Sequence, residues 1–143
     1  MATVLICRDA LEDSVLGNLS LSRSVARRGG EAIVVFVAEA LAALDTGTFR
    51  WSPNFKTRDA RSGIIARAEA AELPFGHREL DQRWSDVRSL VCSLASEPDI
   101  RLIACPLWCR FLDLEGGLDH LERIDEGQLV DLLQQADTVV GGY

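Results

Sequence analysis

Three short apolar runs separated by helical periodicity constrain this chain more than any other feature. The strongest is Ala32 to Ala38, with an unbroken Ile-Val-Val-Phe-Val stretch. A strand that is apolar at every position has no solvent face, so it fits the middle of a parallel sheet covered on both sides. Thr3 to Cys7 and Ile100 to Cys105 read the same way, and Thr138 to Val140 is a short final strand. Between them the period changes. Asp13 or Ser14 is placed to cap a helix that runs to about Arg28, with Val15, Leu16, Leu19 and Val25 as its apolar face and Gly29-Gly30 as its stop. Glu39 to Leu44 predicts a short helix ending near Gly47, and Arg58 to Glu72 a longer one burying Ile64, Ile65 and Ala68. Trp84, Val87, Leu90, Val91 and Leu94 give the clearest amphipathic pattern, broken by Pro98-Asp99. Leu129, Leu132, Leu133 and Ala136 mark a last helix, and Pro74 to Leu80 leaves room for a further short strand.

Strands alternating with helices predict a three-layer α/β/α sandwich around a parallel sheet of about five strands. At 143 residues and 48% hydrophobic, the chain supports one domain spanning 1–143. No apolar run approaches the ~20 residues of a membrane span. The opening Met1 to Cys7 reads directly as a strand, without the basic region and cleavage site of a signal peptide. A cytoplasmic location follows as the expectation. The four cysteines are then expected as free thiols rather than a disulfide framework.

The formal net charge is −7, and Lys56 is the single lysine among 15 basic residues. An acidic chain with dispersed arginines excludes a nonspecific nucleic-acid binder, which needs a basic footprint. No glycine-rich phosphate loop follows any strand, and Arg8 to Asp13 after the first strand holds three acids that would repel phosphate. A nucleophile elbow is also missing. Cys7, Cys105 and Cys109 are the soft residues that could converge on a metal, but His77 and His120 show no ligand spacing. Neither a metal nor a cofactor is expected.

The chemistry-bearing stretch is Arg101 to Cys109. It delivers Cys105 to the carboxyl end of a strand, followed by Pro106, a residue suited to the first position of a helix. Helix N–H groups at that point favour a thiolate, so Cys105 is expected to be partly exposed and nucleophilic. Cys109 would follow one turn later on the same face, close enough for a reversible disulfide or a resolving role. Cys7 ends a neighbouring strand, so Cys7, Arg8, Trp108 and Arg110 are expected around the same pocket. Cys92 lies beside the stripe of its helix and reads as structural. Thr46 to Asp59 carries Phe49, Trp51 and Phe55, aromatics that a solvent loop would not hold. They either anchor the loop on its own core or serve as a lid or subunit contact.

The element order resembles the DsrE/DsrF/DsrH-like sulfur-relay family. The likeness lies in Val4 to Ala38 with its Gly29-Gly30 turn, in Phe36 to Leu44, and in Val87 to Leu94 followed by Ile100 to Cys105, Gly116-Gly-Leu118 and Gln128 to Val140. It implies a compact α/β/α fold, assembly as a homo-oligomer (dimer, trimer or hexamer), and partner proteins that donate or accept sulfur. Cys105 would be the residue that carries sulfur as a persulfide, with Cys109 beside it. Pro106 to Cys109 and the long aromatic loop depart from the pattern. Two alternatives stand beside persulfide carriage. One is a non-catalytic small-ligand or protein-binding module using the loop aromatics with Arg8 and Arg110, and the other is a thiol–disulfide protein using Cys105 and Cys109.

Overall fold

The computed structural model describes residues 1–55, 57–71, 73, 85–114 and 118–141. Its elements are β1 (Ala2–Cys7), α1 (Glu12–Arg27), β2 (Glu31–Phe36), α2 (Ala38–Thr46), α3 (Arg58–Ala70), α4 (Ser85–Leu94), β3 (Ile100–Ala104), α5 (Pro106–Phe111), β4 (Glu122–Arg123), α6 (Glu126–Gln135) and β5 (Thr138–Gly141). The strands form one five-stranded sheet in the order β4-β3-β2-β1-β5, and every pairing is parallel. The expected α/β class and the parallel pairing of strands at Thr3–Cys7, Thr138–Val140 and within Ala32–Ala38 and Ile100–Cys105 are present, although β2 ends at Phe36, with Ala38 already in α2, and β3 ends at Ala104. The stretch Pro74 to Leu80 lies outside the described residues, as do Trp84 and His77.

Strand alternation sorts the core into two faces. Leu5 and Cys7, Val34 and Phe36, and Leu102 and Ala104 pack with α1, α2 and α4. Val4, Ile33, Val35, Ile103 and Cys105 pack on the other face against Leu129, Leu132 and Leu133 of α6 and Ala136 just after it. Topology accounts for this split. Connections from β1 to β2 and from β2 to β3 step in one direction, whereas the α6 crossover from β4 to β5 runs back across the sheet. With right-handed crossovers, reversing the step puts the helix on the opposite face.

Two local differences from the sequence-based expectation have physical causes. Helix α1 begins at Glu12, and neither Asp13 nor Ser14 caps it. The Glu12 N–H instead donates to the Arg50 carbonyl at 2.8 Å, which satisfies one of the helix's orphan donors. That leaves the Asp13 carboxylate to accept from the Ser52 N–H at 2.8 Å and the Ser52 hydroxyl at 2.6 Å. Helix α2 starts earlier than expected because Ala38, at φ 49°, turns the chain out of β2, and Gly47 closes it in the left-handed conformation at φ 76°. The aromatic loop is anchored on its own core. Phe49 is buried, Trp51 packs against the same cluster, and Phe55 stays exposed.

Candidate functional site

Backbone topology picks out one place on the sheet edge. Helix α5 leaves β3 toward the α2 face, where Cys109 packs, and α6 leaves β4 toward the other face. Adjacent parallel strands whose outgoing connections diverge leave a crevice at their carboxyl ends, the usual ligand position in open α/β sheets. A cleft of about 160 Å³ lies there, lined by Ala104, Pro106, Cys109 and Arg110 after β3 and by Arg123 and Ile124 after β4.

Cys105 caps α5 with Pro106 at the first helical position, as its sequence context dictates. Its N–H donates to the Phe36 carbonyl at 3.1 Å and prolongs the β2–β3 ladder by one residue. The side chain is not partly exposed as expected. It is 3% exposed and joins Val4, Ile33, Val35 and Ile103 under α6. The cause is the strand period of two, which sends Cys105 to the same face as Ile103. Helix α5 is also only six residues long, less than two turns. Cys105 is not among the residues lining the cleft.

Cys109 is, although only 7% of it is exposed. Burial pushes its thiol up from the ordinary range, and the neighbouring Cys105 adds to the rise. The Arg123 guanidinium pulls in the opposite direction. Arg110, expected around this pocket, lines the cleft and pairs with Glu126 at 2.5 Å across the α5–α6 junction. Glu126 opens α6, whose start is fixed by a capping box. The Gln128 N–H donates to Asp125, and the Asp125 N–H donates to the Gln128 side chain, each at 2.8 Å.

The structure does not bring the other expected residues to this cleft. Cys7 ends β1 on the α1/α2 face, opposite Cys105, so it does not share a pocket with that thiol. Full burial, with Asp9 nearby, pushes its pKa up to about 12, which makes it an inert core thiol. Arg8 is exposed beside Asp9. Trp108 bridges the two apolar clusters and stacks edge-on against Phe111, with ring centroids 5.4 Å apart. Cys92 is half-buried at a separate cavity of about 250 Å³ that Asp119 and His120 also line. All four cysteines are free. Among the described residues no group of three or more His, Cys, Asp or Glu side chains could hold a metal ion.

Sequence reasoning missed Arg123, Ile124 and Glu126. The two-residue strand β4 is too short to show a period. Its nearest signal is Asp125 followed three residues later by Gln128, which marks the start of α6 and therefore the end of a strand just before it.

Fold and site together define a doubly wound α/β protein with a small thiol- and arginine-lined cleft at the carboxyl ends of its strands. No family model matches the chain, and no curated protein matches it. No helix among the described residues is long and apolar enough to cross a membrane.

Proposed function

We propose that this protein carries sulfane sulfur as a cysteine persulfide, and that the thiol bearing it is Cys109. The observation that carries this reading is a cysteine set in the wall of a cleft at the carboxyl ends of β3 and β4 that Arg110 and Arg123 also line. The element order similar to that of the sulfur-relay family supports it. In the loading step the Cys109 sulfur attacks the outer sulfur of a donor persulfide, R–S–SH. A new S–S bond forms on Cys109, the donor's S–S bond breaks, and the Cys109 proton passes to the departing donor sulfur, which leaves as a thiol. In the unloading step an acceptor protein's thiolate attacks the outer sulfur of the Cys109 persulfide and releases the Cys109 thiolate. Free thiols throughout the chain suit a reducing, cytoplasmic setting.

The protein acts as a homo-oligomer in this reading. Val130 on α6, Val139 on the edge strand β5 and Phe111 on α5 are all exposed large hydrophobics. The test is intact mass spectrometry after incubation with a persulfide donor. Gain of one sulfur atom, reversed by reductant and unchanged in Cys92→Ser, supports carriage.

A second reading, a non-catalytic binder of small anions in the same cleft, is favoured by the burial of Cys105 and the upward shift of the Cys109 thiol. Anion binding without any gain of sulfur would select it.

A further inference from the structure

We propose that the cleft selects low-molecular-weight persulfides with an anionic tail, and that Glu126 is a built-in competitor that holds Arg110 until such a tail replaces it. The inference rests on the sulfur-carrier reading and names its donor class. At about 160 Å³ the cleft is below the ~300 Å³ at which drug-sized pockets begin, so it admits the head of a small molecule rather than a nucleotide. Its charged lining residues are two arginines, in a chain whose net charge is −7. A local basic spot on an acidic protein discriminates by charge over the short range that salt leaves unscreened.

Two neighbouring acids are engaged elsewhere. Glu122 pairs with Arg101, and the Asp125 carboxylate caps α6. Glu126 pairs with the Arg110 guanidinium of the cleft at 2.5 Å. Arg110 and Glu126 are both half-exposed or more, and exposed ion pairs of this kind are held weakly. A carboxylate carried by the ligand can therefore displace Glu126, in a bidentate geometry that guanidinium favours. Exchange of one carboxylate for another on Arg110 brings the donor's S–S bond to the Cys109 side of the cleft. The burial that keeps the Cys109 thiol protonated is opposed there by Arg123.

The experiment compares loading rates from two synthetic donors, cysteine persulfide with its carboxylate and cysteamine persulfide without one. Wild type should load about two- to fivefold faster from the carboxylate donor, the size expected for one exposed ion pair. Glu126→Gln should raise the rate from cysteine persulfide about three- to fivefold and give no gain with cysteamine persulfide. Arg110→Gln should remove the preference between donors. Equal loading from both donors in wild type, or no effect of Glu126→Gln, would overturn the inference while leaving sulfur carriage standing. No loading from either donor would overturn the carrier reading itself.

Discussion

The Cys109 N–H donates to the Cys105 carbonyl at 2.9 Å, yet the two side chains enter different apolar clusters on opposite faces of the sheet. The backbone makes them neighbours, and packing commits their side chains to different clusters. A disulfide between them would require one side chain to leave its cluster. Oxidation of the protein with diamide should therefore leave no Cys105–Cys109 disulfide in peptide maps. Finding that bond in high yield would show that the α5 turn repacks readily, and would favour the thiol–disulfide alternative.

Cys7 gives the chain a stability dependence at high pH. Its thiol ionises near 9.0 once unfolded and near about 12 while buried. The neutral thiol of the folded state is thus fully stabilising below 9.0, and that contribution is lost as the pH rises toward 12. The loss amounts to at most about 4 kcal/mol, at ~1.4 kcal/mol per pH unit. Urea midpoints measured from pH 8 upward should fall more steeply in wild type than in Cys7→Ala. Parallel slopes would mean that Cys7 is not buried as described.

The Asp13–Ser52 contact ties the aromatic loop to α1 through two hydrogen bonds to one carboxylate. Asp13→Ala should cost about 2 kcal/mol and Ser52→Ala about 1 kcal/mol, because hydrogen bonds to charged groups are worth roughly twice neutral ones. Chemical denaturation measures both. A change below ~0.5 kcal/mol in Asp13→Ala would show that Phe49 packing and the Arg50 backbone contacts hold the loop unaided.

Assembly is tested by light scattering. The uncovered hydrophobics Phe111, Val130 and Val139 predict a mass that is a multiple of 15.7 kDa, and Val130→Glu should shift it toward the monomer. A monomer at tens of micromolar in wild type would contradict the oligomer.

The fold was legible because its signals are local. Ile33 to Phe36 are apolar at every position, and a covered parallel strand is the structure that accommodates this. Gly47 and Pro106 punctuate helices through backbone chemistry that no neighbour alters. The site was only half legible. Pro106 fixed Cys105 at a helix start, but which face a strand-end side chain enters depends on strand parity and on the helix that covers that face. Parity sent Cys105 under α6. The other wall of the cleft, Arg123 and Ile124, belongs to a strand of two residues whose place in the sheet comes from pairing with β3, a tertiary relation with no sequence period. Asp13 shows the same limit, since a side chain with helix-capping chemistry is engaged instead by a serine 39 positions away.

Whether Cys109 or Cys105 bears the sulfur is read from persulfide loading of Cys105→Ser and Cys109→Ser, followed by intact mass spectrometry. Cys105→Ser should gain one sulfur atom as wild type does, and Cys109→Ser should gain none. Loading of Cys109→Ser with loss in Cys105→Ser would contradict this assignment, and would return the chemistry to the thiol beneath α6.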